Sequence, residues 1–255
     1  MLLLIFSNIS RGANLFIQNR IGLIESVESM RSQERRLEQN TNNLANVNTA
    51  GYKKENTAFQ EMLFTAANGR QRVGKAIKVI TDHTQGSTEN TGNPLDLAIT
   101  GDGYFKIQTG NGIRYTRAGE FTRDNQNQLT TQGGDPVLGL GGPIIIDGND
   151  VQIKPTGEVF VDGNLTDQID VVTVDNKALL EKEGRNLFRL TGNGQEVATQ
   201  AAVQQGAVEE SNVNTVLEMT EMISLRNDYE SQQKIIRTID EIDTKAATKV
   251  GSLTP

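Results

Sequence analysis

Residues 215–251 read TVLEMTEMISLRNDYESQQKIIRTIDEIDTKAATKVG. From Met222 onward a mostly apolar set of positions is reached by steps that alternate between three and four: Met222, Leu225, Tyr229, Gln232, Ile236, Ile239, Asp243, Ala246 and Val250. An α-helix brings such positions onto one face, so the spacing predicts a single helix with an apolar seam. Thr215 and Glu218 fit a capping box, Lys245 and Lys249 suit the negative end of the helix dipole, and Gly251 suits the left-handed residue that closes a helix. At about 1.5 Å per residue the helix runs roughly 50 Å, beyond the diameter of a compact domain of this chain. Its seam requires a partner.

Near the other end, Leu23, Val27, Met30, Glu34, Leu37, Thr41 and Leu44 follow the same four-three steps, with no Gly or Pro from Leu23 to Val47. Periodicity alone accommodates two arrangements: an antiparallel pair within one globule, and a stalk whose seams also meet neighbouring copies. Glu34, Thr41, Gln232 and Asp243 interrupt the seams. Polar groups at such positions either fix register at a cost in stability or simply face solvent.

Between the helices the sequence changes character. Asn42 to Lys53 holds four asparagines and Gly51, which mark a helix end near Val47 or Asn48 followed by a turn. From Lys54 to Ile80 no period is clear; Phe59, Met62, Leu63 and Phe64 suggest a short helical turn, and Asn68 to Lys75 a loop. From Pro94 short alternating runs are bounded by glycine-rich turn signals mostly about 8 to 15 residues apart, the pattern of an all-β unit. Gly101-Asp-Gly103 reads as a hairpin turn. Strands are expected at Val151 to Ile153, Glu158 to Val161, Ile169 to Val174 and Leu187 to Leu190, with a short helix from Lys177 to Glu183. The chain is expected to leave the β unit around Gln200.

The expected fold class is α+β: paired long N- and C-terminal helices, coiled-coil-like, with an inserted, mainly antiparallel all-β domain. The expected divisions are an N-terminal extension (1–20), the first helix and its turn (21–64), a connector (65–93), the β domain (94–202) and the C-terminal helix (203–255).

Composition narrows the function. Of 255 residues, 36% are hydrophobic and 5% aromatic, so cores are moderate and contact surface is polar. The net charge is −7 and no Lys/Arg run interleaves with aromatics, which argues against nucleic-acid binding. With no cysteine, thiolate catalysis, disulfides and Cys-based metal sites are excluded. No segment approaches the about 18 apolar residues of a membrane span, so no direct membrane insertion is expected. The apolar opening Met1 to Phe6 lacks a basic leader and a small-residue cleavage site, and reads as a tail rather than a cleaved signal.

Gly69-Arg-Gln-Arg-Val-Gly74-Lys75-Ala76 nearly matches a phosphate-binding loop, but Ala76 stands where a magnesium-binding hydroxyl belongs. The stretch reads instead as a solvated basic loop, or as a contact with an acidic surface on a neighbour. His83 is the sole histidine and is expected to be an exposed loop residue. The aspartates at the β turns serve backbone geometry and lack calcium-loop spacing. No catalytic, cofactor-binding or metal-binding residue is assigned, and the chain is read as a non-enzyme.

The stretch Asn42 to Lys53 resembles the N-terminal signature of the flagellar rod and hook family, Asn-Asn-Leu-Ala-Asn-x-x-Thr-x-Gly-aromatic-Lys, at every position of that pattern. Thr91 to Phe105, Tyr115 to Arg123 and Glu210 to Asn214 resemble the same family in the same order. The stretches Glu218 to Arg226 and Ile236 to Glu241 look most like proximal rod members, with distal members next and hook-type subunits carrying larger insertions. The resemblance implies a structural subunit of the basal-body rod, exported by the flagellar type III apparatus without a cleaved signal. Such a subunit polymerises helically into the periplasmic drive shaft, beside copies of itself and other rod proteins. The expected assembly interface comprises Leu23, Val27, Met30, Leu37, Leu44, Asn46, Gly51, Leu225, Tyr229, Ile236, Ile239 and Ala246. Glu28 departs from the small residue that members more often carry. The rival from another class is a monomeric periplasmic domain that binds or hydrolyses glycan.

Overall fold

The computed structural model describes residue 23 and residues 26–65, 71–184 and 186–251. Two helices and mainly antiparallel strands make the fold α+β. The chain divides into two compact units: a β unit of Asn43–Ala58 with Lys78–Thr215, and a second unit that contains Phe59–Ile77 and most of both helices.

At the centre of the β unit lies the hairpin Tyr104–Thr109 with Gly112–Thr116, where Phe105 faces Thr116 and Thr109 faces Gly112. Glycines at both ends of its tight connection, with Gly112 at φ +98°, let the chain reverse over Gly110 and Asn111. Around the hairpin a six-stranded antiparallel sheet runs in the order Leu180–Lys182, Leu187–Leu190, Gly112–Thr116, Tyr104–Thr109, Val171–Val174, Glu196–Ala198. Successive strand residues point to opposite faces. Phe105 and Ile107 therefore pack with Phe121, Leu129, Val137 and Ile144 on one side. Tyr104 packs with Tyr115, Val172 and Phe188 on the other.

Two strand pairs close the unit where the chain enters and leaves it. Leu97–Thr100 pairs with Ala202–Gln205, and Thr88–Asn90 pairs with Ala207–Glu209. Gly206, at φ +77°, turns the chain between the two exit strands, and its carbonyl accepts from the amides of Thr91 and Gly92. Strands thus continue past Gln200, beyond the expected exit from the β unit.

The strands Val151–Ile153, Glu158–Val161 and Leu187–Leu190 occur where alternation predicts them, and Val171–Val174 falls within its expected span. Three local readings are corrected. Gly101-Asp-Gly103 is a corner between sheets, not a hairpin, because the strand before it pairs with Ala202–Gln205 and the strand after it with Gly112–Thr116. The stretch from Lys177 holds one 3-10 turn, Lys177–Leu179, capped by the Asn176 side chain, and then becomes the strand Leu180–Lys182. Finally, Glu55–Thr65 and Gln71–Thr81 form a two-stranded sheet instead of a helical turn and a loop. Gly74 to Ala76 lies inside that second strand, which removes the loop-then-helix geometry a phosphate site needs.

The first helix covers residues 26–45 and gives way to turns at Asn46 to Asn48, where the amides of Asn46 and Val47 bond the carbonyls of Asn43 and Leu44. The second helix is Thr215–Gly251, with Glu218 in its first turn. Arg36 on the first and Glu221 on the second form an exposed ion pair of 2.9 Å.

Candidate functional site

The signature turn folds around its own side chains. Asn43 is buried; its Nδ2 donates to the Glu55 carbonyl (2.9 Å), while its Oδ1 accepts from the Glu55 amide (3.0 Å) and the Tyr52 hydroxyl (3.2 Å). One carboxamide so satisfies both backbone groups of Glu55, as a neighbouring strand would. Gly51 sits at φ +65°, and a Cβ there would come within 2.2 Å of the Ala118 amide nitrogen. The turn can lie against residues 117–118 only because that position is glycine.

Beneath the turn is a buried ion cluster. Glu209, on the exit strand, receives Lys53 Nζ on Oε1 and Arg117 Nη1 on Oε2, the latter at 3.0 Å. The Gly86 amide also donates to Oε1, at 3.0 Å. All three charged side chains are almost fully removed from solvent. Lys53 donates a further bond to the Thr84 carbonyl (2.6 Å), and Arg117 reaches the Ile99 carbonyl (2.9 Å) and the Gly101 carbonyl. Burial pulls the Lys53 pKa below its ordinary value, against the opposing pull of Glu209. Two cations around one carboxylate leave an excess positive charge, and the ring of carbonyl oxygens offsets it.

Neighbouring contacts extend the cluster. Arg117 stacks 5.6 Å from the Tyr104 ring centroid, and the Tyr104 hydroxyl bonds His83 Nδ1 at 2.8 Å. His83 is consequently not the exposed loop residue its polar surroundings suggest. It packs on Tyr104 and Phe188, and burial, helped by the charges of Lys177 and Lys53, lowers its pKa to about 4. Asn212 accepts from the Lys54 amide (2.7 Å) and donates to the Asp82 (3.0 Å) and Thr84 (3.1 Å) carbonyls. Asn186 donates to the Ala50 carbonyl (2.9 Å), and Lys182 Nζ lies 3.5 Å from the Tyr52 ring centroid. All four signature stretches therefore meet here: 42–53, 91–105 through Ile99 and Gly101, 115–123 through Arg117, and 210–214 through Asn212. Sequence reading assigned no role to Lys53, Arg117 or Glu209. The signal was a glutamate within Ala207-Val-Glu209, a strand buried at every position.

Beside the turn opens a cleft of about 600 Å³. It is lined by Asn46, Thr49 and Ala50 of the turn and by Glu120, Thr131, Gln132, Gly133, Asp135 and Asn186, among others. Glu120 and Asp135 bring two carboxylates to it, and no Lys or Arg lines it.

On the helices, the expected seam of Thr215–Gly251 coincides with its sheltered face: Leu225 is buried, and Met222, Tyr229, Gln232, Ile236, Ile239 and Asp243 are half-buried. Ala246 and Val250 have side chains outside the described residues. Of the first-helix positions, Leu23, Met30, Leu37 and Leu44 are half-buried, whereas Val27 is 52% exposed, and Glu28, Glu34 and Thr41 are exposed as well. The polar residues buried on this helix are Asn40 and Asn43, and Gln33 is among its half-buried ones, whereas the interruptions at Glu34 and Thr41 are exposed.

Three family models match in chain order: flagella basal body rod protein over residues 26–53, flagellar hook protein FlgE/F/G D1 domain over 98–161, and flagellar basal body rod FlgEFG protein C-terminal over 204–249. The chain is 36% identical to the flagellar basal-body rod protein FlgG of Bacillus subtilis, covering 86% of this chain and 95% of that one. It is 35% identical to the flagellar basal-body rod protein FlgF of Caulobacter vibrioides, covering 83% and 90%. To the flagellar hook-basal body complex protein FlhO of Bacillus subtilis it is 29% identical, covering 91% and 99%. With the ion cluster holding together the same stretches that carry the likeness, the chain belongs to the flagellar basal-body rod protein family and is a structural subunit of that rod.

Proposed function

We propose that the chain self-assembles helically into the periplasm-spanning rod through its terminal helices. Within one copy, Leu23, Met30 and Leu37 pair with Leu225, Tyr229 and Ile236 as an antiparallel, coiled-coil-like stalk, an alignment that the Arg36–Glu221 ion pair supports, while Leu44, Ile239 and Ala246 extend the two seams beyond that overlap. The observation that carries the assembly reading lies on the other side of the second helix. Val216, Met219 and Ile223 are 71%, 48% and 62% exposed, and Val216 stands two and a half turns, or half a revolution, from buried Leu225. A helix start that is apolar on opposite faces needs two partners. A chain that supplies one of them leaves the other to a neighbouring copy, with exposed Val27 added from the first helix. Asn46 and Gly51 contribute by fixing the turn from which that helix departs.

The partners on this reading are further copies and other rod proteins. The subunit travels through the flagellar type III export apparatus without a cleaved signal, and its role is mechanical, not enzymatic. Ile236→Asp places a charge in the seam and is expected to abolish polymer in a sedimentation assay, with the thermal unfolding of the β unit unchanged. Polymer formed by that variant at the wild-type concentration contradicts the seam.

A further inference from the structure

The tetrapeptide Thr-Gly-Asn-Gly occurs twice in the β unit, as Thr109 to Gly112 and as Thr191 to Gly194. An asparagine followed by glycine is the setting in which the side-chain amide is most easily lost, because the glycine nitrogen attacks the asparagine Cγ without hindrance from a side chain of its own. The attack also requires the peptide plane between the two residues to rotate until that nitrogen lies over Cγ. Identical neighbours give the two sites similar intrinsic reactivity, and the fold decides which plane can turn.

In the first turn the plane is held at both ends. Gly112 pairs with Thr109 in the hairpin ladder, and the Asn111 carbonyl accepts from Arg114 Nη1 at 3.0 Å. Thr109 Oγ1 ties the turn further, accepting from the Asn111 amide at 3.2 Å and donating to the Gly112 carbonyl at 2.7 Å. In the second turn the anchors lie to either side of the plane. The amide and hydroxyl of Thr191 each donate to the Leu179 carbonyl at 2.9 Å, and the Gln195 amide donates to the Asp175 carboxylate at 3.1 Å. Between them Asn193 is exposed, and neither its carboxamide, its carbonyl nor the Gly194 amide has a hydrogen-bond partner among the described residues.

We infer that Asn193–Gly194 is a site of spontaneous deamidation in the folded protein, from which Asn111–Gly112 is protected. Hydroxide takes the proton of the Gly194 amide, and the nitrogen forms a bond to Asn193 Cγ. The Cγ–Nδ2 bond then breaks, and ammonia leaves with a proton from water. Water opens the resulting succinimide at either carbonyl to give aspartate or isoaspartate, so that one water is consumed for each ammonia released. Either product adds a negative charge three residues before Glu196, the carboxylate that holds Lys106 and Tyr115. Isoaspartate also inserts a methylene into the main chain ahead of Glu196–Ala198, the outermost strand of the six, which pairs with Val171–Val174. That edge of the sheet loosens with the age of the molecule.

The folded full-length chain, kept at mildly alkaline pH, is sampled over time and its peptides are followed by mass spectrometry, where each deamidation appears as a gain of one mass unit. Asn193 is expected to react about tenfold faster than Asn111, whose hydrogen bonds must break first, and the two rates should converge in denaturant. Thr109→Val removes the hydroxyl that ties the hairpin turn and should speed Asn111 alone, whereas Asn193→Gln should remove the fast reaction. A third Asn-Gly pair, Asn68–Gly69, lies outside the described residues and is told apart by its own peptide. Equal rates at Asn193 and Asn111 in the folded chain, or an excess at Asn193 that persists in denaturant, overturn the inference. So does a folded chain in which neither residue reacts while the denatured chain does.

Discussion

The β unit and the terminal helices handle exposed chemistry in opposite ways. In the β unit even the hardest groups to bury are enclosed and mostly matched: Glu209 meets two cations and the cations meet carbonyl oxygens, with Arg117 Nε the buried polar atom there that lacks a hydrogen-bond partner among the described residues. The helices leave demands open. Asn40 is buried, yet neither atom of its carboxamide has a hydrogen-bond partner among the described residues, and Val216 and Ile223 face solvent. A buried amide left without partners costs about 1–3 kcal/mol, which a self-sufficient fold would avoid. The contrast separates a part of the chain whose charged groups are met within one molecule from a part that, on the assembly proposed above, meets other copies.

The strongest way to break the contrast is to open the finished part. Glu209→Ala leaves Lys53 and Arg117 as uncompensated buried cations, and removal of one partner from such a group costs about 3–5 kcal/mol. Denaturant titration followed by tyrosine fluorescence should show that loss; a change below about 1 kcal/mol would mean that water already reaches the cluster.

A smaller effect follows from His83. Burial holds its folded pKa near 4, below the 6.5 of an exposed imidazole, so between those values the unfolded chain binds the proton and the folded chain does not. The contribution is fully present above pH 6.5 and is lost as pH falls toward 4. Unfolding curves measured through this window should fall more steeply for the wild type than for His83→Gln; parallel curves would show that His83 protonates freely in the fold. The smallest effect is expected on the open part. Arg36→Ala removes an ion pair exposed on both sides, worth about 0.2–1 kcal/mol, and should leave the unfolding midpoint nearly unmoved.

The same division governs what the sequence made legible. The seam of the second helix was readable residue by residue because a helix face is a local, periodic property: the steps from Met222 to Asp243 land on sheltered positions throughout. The strands from Val151 to Val161 were readable for the same reason, being short, alternating and adjacent in the chain. The corner at Gly101-Asp-Gly103 was not, because whether a glycine turn makes a hairpin depends on which strands pair. Leu97–Thr100 pairs with a strand more than a hundred residues away. The strand Glu55–Thr65 shows no clean alternation, and its clustered Phe59, Met62, Leu63 and Phe64 imitate a helical turn. The ion cluster joins Lys53, Arg117 and Glu209 from three distant stretches; composition records the charges, and only the fold records their meeting. On the first helix Leu23, Met30, Leu37 and Leu44 are half-buried as the stepping expects, while Glu34 and Thr41 face solvent, the alternative that periodicity had left open.

The pairing of Thr88–Asn90 with Ala207–Glu209 has a mechanical consequence. The ladder continues past Thr88 and Glu209 to the Glu210 amide, which bonds the Ser87 carbonyl, so both ends of the β unit's neck emerge on the same side. Tension applied through these two ends loads the backbone bonds one after another, as in peeling tape, instead of all together as in shear. Peeling is the weaker direction for a pair of strands. The bond from the Glu210 amide to the Ser87 carbonyl opens first, and Glu209, gripped by Lys53 and Arg117, lies on the rung behind it, so the ion cluster opposes the second step of the peel.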